Sequence, residues 1–314
     1  MEDYPTTVLE LETRFSTEEA CRAYLYQLRW PEGFRCPRCG GARAWATVRH
    51  LWECAQCGTQ TSVTAGTIFQ DTHKPLRLWF RAIWYVTSQK NGVSALGLQR
   101  VLGLGSYETA WAWLHKLRRA MVRPGRERLS GTVEVDETFV GGPHPGPPGR
   151  GAGGKSVVVV AAEEDGAGLG RIRLRRVPDF SGASLCGVIQ DFVEPGSVVH
   201  TDGLRAYNGV GQLGYIHEVL RAGGQEGTDP MPRAHRIASL LKRWMLGTHQ
   251  GAIAPSHLDY YLDEFTFRFN RRTSRSRGKL FYRLMQQAVA LDPVPAARLR
   301  GGIFATSEDD SEST

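Results

Sequence analysis

Two pairs of cysteines constrain the N-terminal part of the chain more than any other feature. Cys36 and Cys39 form one CxxC pair, Cys54 and Cys57 form the second, and 14 residues separate the pairs. A glycine follows each pair, which is typical of turns in which two thiolates bind one ion. Two such pairs complete a tetrahedral zinc site, while buried free cysteines or a redox pair are the alternatives. All four ligands come from the protein, so we predict a structural Zn²⁺ in a ribbon module over residues 15–70.

The composition is that of an ordinary folded chain. Hydrophobic residues make up 41% of the 314 positions and charged residues 23%, which excludes wholesale disorder. The longest aliphatic run, residues 157–162, is too short to cross a bilayer. Residues 1–13 are acidic and mixed rather than a basic and apolar leader, so we expect neither secretion nor a membrane partner.

The net charge of +7 points to a polyanionic partner, and the charge is unevenly distributed. The net charge is +7 over residues 1–130, −4 over residues 131–228, +8 over residues 229–300 and −4 over residues 301–314. The two positive blocks are where we expect the polyanion to bind. The last block is acidic and rich in serine, which predicts a disordered tail.

Residues 71–128 have the apolar spacing of helices. Two helix-length segments, residues 94–102 and 107–121, are joined by a short glycine-containing turn, which is the pattern of a helix-turn-helix. Two ordinary core helices would show the same pattern. Beside a zinc ribbon in a positive block we favour DNA binding, with the second helix in a groove. The side chains expected near the DNA backbone are Lys116, Arg118 and Arg119.

From residue 131 onward the pattern is that of a mixed α/β domain. Strands are predicted at residues 131–140, 156–162, 169–177, 197–201 and, more weakly, 216–220, and helices at residues 181–193, 233–246 and 256–271. Between the first two strands, 11 of the 14 residues from 141 to 154 are Gly or Pro, which predicts a loop.

Carboxylates occur on two of these strands. Glu134 and Asp136 alternate along the first strand and therefore share one face, and Asp202 follows a short apolar strand. Carboxylates at neighbouring strand ends can hold two divalent ions about 4 Å apart, the arrangement used in phosphoryl transfer. Either Asp alone could be a solvated turn cap, but the order of strand, hairpin, helix and strand favours a metal site.

Later helices carry further polar candidates. His235 and Lys242 are seven residues apart and lie on nearly the same helix face, so a metal ligand and a phosphate-binding cation would follow one another. A locally satisfied structural histidine is the alternative. Arg268, Arg271 and Arg272 alternate with aromatic residues, which favours DNA contact over a solvated basic helix end.

Several stretches resemble one known family. VEVDETFVGG, HTDGLRAYNG, HRIASLLKRWMLGTHQG and HLDYYLDEFTFRFNRR resemble the DDE-type insertion-sequence transposases that carry an N-terminal zinc ribbon, and CPRCGG, WECAQCG and TAGTIFQDTHKPLRLWF resemble their N-terminal module. The resemblance covers residues 15–290 and implies an RNase H-like catalytic domain over residues 129–290. It implies cleavage of transposon terminal inverted repeats and joining to target DNA, with Mg²⁺ or Mn²⁺. A homo-oligomer on double-stranded DNA, in the cytoplasm and nucleoid of a prokaryotic cell, is the expected working state.

The resemblance also assigns roles to single residues. By motif position, Asp136 is the first catalytic carboxylate and Asp202 the second. The third family position is usually acidic, with a basic residue seven farther on. In this sequence those two positions hold His235 and Lys242.

The identity of the third metal ligand stays open at the level of sequence. Imidazole is a poor ligand for Mg²⁺ but is acceptable to Mn²⁺. Either His235 is the ligand, or Glu264 (Asp263 less so) takes its place, or the chain is an inactive or repurposed zinc-ribbon DNA-binding regulator. A nuclease or Holliday-junction enzyme on the same fold would cleave without joining. We favour a transposase that uses His235.

Overall fold

The computed structural model describes residues 2–123, 125–141, 155–221, 229–251 and 253–301. Most of the predicted loop (142–154) and tail (302–314) lies outside the described residues. The chain divides into two compact units. Among the described residues, the N-terminal unit comprises residues 2–123 and 274–300, and the sheet unit lies within residues 125–273.

The helices and strands alternate along the chain much as the sequence predicts. The α-helices of the described residues are α1 (Val8–Arg14), α2 (Glu18–Arg29), α3 (Leu76–Ser88), α4 (Ala95–Leu102), α5 (Tyr107–Ala120), α6 (Gly182–Phe192), α7 (Pro232–His249), α8 (Leu258–Asn270), α9 (Arg277–Ala290) and α10 (Ala296–Gly301). The strands are β1 (Ala44–Ala46), β2 (Trp52–Cys54), β3 (Gln60–Thr61), β4 (Thr132–Val140), β5 (Ser156–Asp165), β6 (Gly168–Val177), β7 (Val198–Thr201) and β8 (Ile216–Val219). No helix in these ranges is both long and apolar enough to span a membrane.

The predicted ribbon and helix pair both lie in the N-terminal unit. β1, β2 and β3 form an antiparallel sheet, and Ala44 pairs with Cys54 across it. Ser94 caps the start of α4, which ends at Gly103 with a left-handed φ of 63°. Glycine adopts that conformation without strain, so the chain can turn sharply towards Ser106, the cap of α5. Both helices of the predicted pair are confirmed.

Helix α9 packs differently from the sequence prediction. The expected catalytic domain extended to residue 290, but residues 274–300 belong to the N-terminal unit. The reason is an apolar face on α9 that packs against α2, α3 and α5. At its centre the fully buried Phe281 lies 5.9 Å from the Phe80 ring and 6.4 Å from the Tyr24 ring. The compact unit that contains the sheet therefore ends near residue 273.

The sheet unit has one mixed sheet with helices on both faces. The strand order is β6-β5-β4-β7-β8, in which β4, β5 and β6 are antiparallel and β7 and β8 run parallel to β4. α6 covers the face that carries Val133 and Val135, whereas α7 and α8 cover the face that carries Val158 and Val160. This order, with two-sided helical cover, is the RNase H-like fold expected from the sequence.

The strand register already places the acidic candidates. Glu134 on β4 pairs with His200 on the parallel strand β7. Two residues farther along lie Asp136, within β4, and Asp202, directly after β7. Because the two strands are parallel, Asp136 and Asp202 lie at the same level of the sheet, where β7 ends.

The packing of α9 yields a stability prediction. A Cβ added at Gly278, in the first turn of α9, would lie 1.8 Å from the Pro5 carbonyl oxygen. Relieving that clash requires backbone movement, so we expect Gly278→Ala to lower the free energy of unfolding by about 2–3 kcal/mol. Urea unfolding followed by circular dichroism measures the change.

The matched control makes the same chemical change in α6. A Cβ at Gly187 meets nothing within 4 Å. Gly187→Ala should therefore raise stability, by up to about 1 kcal/mol, through helix propensity. Equal effects of the two substitutions would contradict the close packing of α9 in the N-terminal unit.

Candidate active site and zinc centre

The four cysteines of the ribbon converge on one point. The sulfurs of Cys36 and Cys57 are 3.6 Å apart, as are those of Cys39 and Cys54, and all four lie within 4.8 Å of one another. Zn–S bonds of about 2.3 Å in a tetrahedron place sulfurs about 3.8 Å apart. The spacing fits one four-coordinate zinc ion with no open position, which is a structural site.

Local geometry prepares these turns to bind a metal. The amides of Gly40 and Gly58 donate to the carbonyls of Cys36 and Cys54 at 2.9 Å, and both glycines have a left-handed φ. The Thr59 hydroxyl lies 3.2 Å from the Cys57 sulfur, and its hydrogen bond lowers the pKa of that thiol to about 6. The thiolate is the form that binds zinc.

In the sheet unit, a buried carboxylate on β4 holds the start of α7. Glu134 is 2% exposed and accepts the backbone amides of Arg233 and Ala234 at 2.8 and 2.9 Å. It also pairs with the Arg233 guanidinium at 3.0 Å. The first amides of a helix have no partner within the helix and carry partial positive charge, so they favour a carboxylate. Glu134 therefore fixes the first turn of α7 against β4.

That turn brings His235 to Asp136. The His235 Nε2 atom lies 3.3 Å from Asp136 Oδ2, and its Nδ1 atom lies 2.7 Å from Asp229 Oδ1. Asp136 is on the same face of β4 as Glu134, two residues along. The contact with Asp229 orients the ring, and in the neutral tautomer protonated at Nδ1 it directs the Nε2 lone pair towards Asp136.

Asp202 joins a second group of polar side chains around Tyr207. The Asp202 carboxylate accepts the Leu204 amide at 2.9 Å, so it also shapes the turn after β7. The buried Tyr207 hydroxyl donates to Glu137. Burial, followed by the charges of Glu137, Asp136 and Asp202, raises the pKa of Tyr207.

These acidic groups are less tightly clustered than the cysteines. Among the described residues, only the cysteine quartet brings three or more His, Cys, Asp or Glu donor atoms within 4.8 Å of one another. Asp136, Asp202 and His235 do not meet that condition together. The structure joins Asp136 directly to His235, and the register of β4 and β7 brings Asp202 level with Asp136.

Two segments of the chain match transposase families. Residues 128–270 match the family described as the ISXO2-like transposase domain, and residues 16–60 match the transposase zinc-ribbon domain. The two matched segments are thus similar to a transposase domain and to a transposase zinc ribbon. The first match spans β4 to α8 and includes Asp136, Asp202 and His235.

Similar proteins include an uncharacterized protein in the transposable element ISH50 of Halobacterium salinarum. It is 27% identical over 291 residues, covering 84% of this chain and 94% of the relative. Among solved structures, the catalytic core domain of BIV integrase is similar with 14% identity and a TM-score of 0.30, covering 47% of this chain and 86% of that one. A chain of the simian T-cell lymphotropic virus intasome in complex with PP2A regulatory subunit B56 gamma has 13% identity and a TM-score of 0.32, covering 63% and 74%.

Within the transposase domain, the alternative third ligands have other surroundings. Glu264 is 1% exposed, and its Oε1 atom lies 2.7 Å from the Arg268 guanidinium. Burial raises the pKa of Asp263 to about 7, and the nearby Arg126 opposes that rise. The buried carboxylate of Glu264 is paired with Arg268 on the same helix, whereas His235 directly contacts Asp136.

The three cations of the predicted helix-turn-helix are less exposed than the sequence suggests. Arg118 is 2% exposed and lies 3.5 Å from the ring of His115, so its predicted contact with a DNA phosphate is wrong for this conformation. Lys116 and Arg119 are partly buried, and burial lowers the pKa of Lys116. The C-terminal half of α5 packs into the unit because its apolar residues recur on several sides. Its first turn, including Tyr107, is exposed instead.

The late arginines pack on their own aromatic neighbours. The Arg271 and Arg272 guanidinium groups lie 4.1 Å from the ring centres of Phe267 and Phe269. Arg268 is mostly buried against Glu264, so its predicted contact with DNA is corrected to an internal ion pair. Cation–π packing explains the aromatic alternation in this segment. Contacts of Arg271 and Arg272 with DNA stay predictions.

Lys242 lies on the predicted face of α7. His235, Ser239 and Lys242 are all exposed and follow the i, i+4 and i+7 spacing of one helix stripe. A cation two turns beyond His235 is thus available at the surface of the transposase domain.

Sequence reasoning missed three contributors to this site. Asp229 precedes α7 and contacts His235, while the buried Tyr207 donates a hydrogen bond to the half-buried Glu137, the residue after Asp136. Glu137 directly follows Asp136 in the sequence, but its partner Tyr207 is 70 residues away along the chain. Asp229, six residues before His235 in a proline-containing turn, was the more accessible signal.

The anchoring of α7 yields a second stability prediction. Glu134→Ala removes the acceptor of two helix amides and leaves the Arg233 charge partly buried. We expect the free energy of unfolding to fall by about 3 kcal/mol. Glu164→Ala removes the more exposed partner of the same guanidinium and should cost less than about 1 kcal/mol. Urea unfolding of both variants measures the two changes in the free energy of unfolding. Similar losses in both variants would refute the special role of Glu134.

Proposed function

We propose that this protein is a transposase that cuts the ends of its insertion sequence and transfers them into target DNA. The observation that carries the proposal is the contact of Asp136 with His235 inside a transposase domain, with Asp202 at the end of the adjacent parallel strand. The terminal inverted repeats of the element and the target duplex are the proposed substrates.

The contact of Asp136 with His235 supports a divalent cation at these two residues, and we propose that Asp202 completes the donor set. Two ligands at right angles on one ion, with bonds of about 2.2 Å, lie about 3 Å apart. The 3.3 Å between His235 Nε2 and Asp136 Oδ2 agrees with that separation. Two oxygens and one nitrogen are acceptable to Mn²⁺, while Mg²⁺ prefers oxygen alone. When bound, such ions activate the attacking oxygen and stabilise the leaving oxygen of a phosphodiester.

The chain's own groups have distinct roles in this proposal. Asp229 keeps the His235 ring oriented, and Glu134 keeps the first turn of α7 at β4. Lys242, exposed on the same stripe of α7, binds the DNA phosphate next to the scissile bond. The Glu137–Tyr207 pair holds the strand beside Asp136 in a fixed position.

DNA binding is proposed chiefly for the N-terminal unit. Residues 1–123 and 274–300 contain 22 Lys and Arg against 11 Asp and Glu, whereas residues 124–273 contain 17 of each. The positive charge that attracts a polyanion therefore belongs to one unit. We propose that this unit holds the transposon end, and that a homo-oligomer on nucleoid DNA brings two ends together.

The chain itself offers a second candidate function. Glu264 is buried against Arg268, and the third position is a histidine, which favours a zinc-ribbon DNA-binding regulator without catalytic activity. Metal-dependent nicking of DNA by the purified chain would exclude this second function.

Removing either carboxylate tests the catalytic assignment. We expect Asp136→Asn and Asp202→Asn to reduce DNA cleavage by at least about a thousandfold, because neutral amides bind divalent cations poorly. The substrate is a duplex that carries the element's own terminal sequence, and products are resolved on denaturing gels. Affinity for the same duplex should stay within a few-fold of wild type. A parallel loss of binding would refute the assigned roles.

The metal preference tests His235 separately. Wild-type cleavage should be about tenfold or more faster with Mn²⁺ than with Mg²⁺ because one ligand is nitrogen. His235→Ala should lose activity with both metals, while His235→Glu, with an all-oxygen set, should shift the preference towards Mg²⁺. Full activity of His235→Ala would remove His235 from the site. Glu264→Gln is the comparison variant.

A further inference from the structure

A cavity of about 580 Å³ opens in the N-terminal unit beside α5. Four aromatic side chains contribute to its wall: Trp79, Tyr107, Trp111 and Trp113. Its volume lies in the range of pockets that hold one small organic ligand. Neither the zinc ribbon nor the carboxylate site of the sheet unit contributes a residue to it.

The inner wall of the cavity is rigid. The rings of Trp79 and Trp113 stack with centres 3.8 Å apart, and both side chains are almost fully buried. The Trp79 indole N–H donates to the Thr72 hydroxyl at 2.8 Å, which fixes the ring further. The stacked pair supports the cavity rather than filling it.

The mouth of the cavity carries exposed aromatic surface. Tyr107, in the first turn of α5, is 51% exposed, and Trp111 lies one turn farther along the same helix. Side chains four residues apart on a helix lie on one face, and both rings line the cavity. Flat aromatic flanks bind flat π-systems by stacking.

The charged lining indicates the rest of the ligand. Lys74, Lys116 and Arg300 are cations at the cavity, and they suit phosphates. Asp71 and Glu108 also line it and offer acceptors to the exocyclic amino groups of bases. The whole unit carries twice as many basic as acidic side chains. A ligand that would use both the aromatic flank and the cations has a flat π-system next to phosphates, and a nucleotide has both.

The position of the cavity points to a nucleotide of a DNA strand. It lies at the first turn of the second helix of a helix-turn-helix, and residues there contact bases in groove-bound complexes. Duplex DNA lying along that turn would carry its bases past Tyr107. We propose that the cavity takes one unpaired DNA base, stacked on Tyr107 and Trp111, with the adjoining phosphates on Lys74, Lys116 and Arg300. This inference rests on the proposed DNA-binding function.

A bulged duplex tests the inference with the full chain. The probe is a fluorescein-labelled duplex with one unpaired cytosine, whose exocyclic amino group can donate to Asp71 or Glu108. It is compared by fluorescence anisotropy with the same duplex that carries an abasic nucleotide in place of the deoxycytidine. Both have the same phosphates, so their affinity ratio reports the base alone. We expect the cytosine duplex to bind about tenfold more tightly, as for stacking one base on aromatic side chains.

Substitutions then locate the base. Tyr107→Ala and Trp111→Ala should bring the affinity ratio close to one, and Tyr107→Phe should retain it because the ring is kept. Trp45→Ala, which removes a comparably exposed tryptophan from β1, should leave the ratio unchanged. Lys116→Ala should weaken both duplexes alike.

The outcomes separate this inference from the proposed function. Failure of both duplexes to bind would refute DNA binding itself. Binding with a ratio near one in wild type, or a ratio lost in Trp45→Ala but kept in Tyr107→Ala, would overturn the cavity assignment alone. A ratio near one together with Tyr107-dependent binding of a peptide with the sequence of residues 302–314 would assign the cavity to an acidic peptide.

Discussion

The contact between Glu134 and the first turn of α7 is the interaction on which the candidate active site depends. One buried carboxylate accepts two helix amides and pairs with Arg233, across 99 residues of chain. Because strands alternate, the next residue on that face is Asp136, and because α7 starts at this point, His235 meets it. The charged groups that serve stability thus also set the geometry proposed for catalysis.

Helix α9 holds the N-terminal unit together as the Glu134 contact holds the candidate active site. The positive charges of residues 1–123 and of residues 274–300, far apart along the chain, belong to one unit because the apolar face of α9 packs on α2 and α3. The sheet unit has no net charge over residues 124–273. Binding and chemistry are therefore proposed for different units: a basic unit that holds DNA, and a balanced unit whose carboxylates face divalent cations.

Local patterns made much of this predictable. The CxxC spacing predicted the ribbon, and the glycine and serine between the two helices predicted the limits of α4 and α5. The alternation along β4 predicted which face carries Asp136. The misplaced residues depended on how their elements pack, which the local pattern does not show. Arg118 carries the charge of a DNA contact but is buried, Arg268 pairs with Glu264, and α9 joins the opposite end of the chain. Periodicity reports which face of an element is apolar, but not which element covers it.

Anomalous diffraction from crystals of the full chain soaked in Mn²⁺ tests the proposed site most directly. We predict a Mn²⁺ peak bonded to both Asp136 and His235, with Asp229 still at Nδ1 of the imidazole, and its loss from crystals of Asp136→Asn. A peak held by Asp136 and Asp202 with His235 turned away, or a peak at Glu264, would contradict the assignment of His235 as the third ligand.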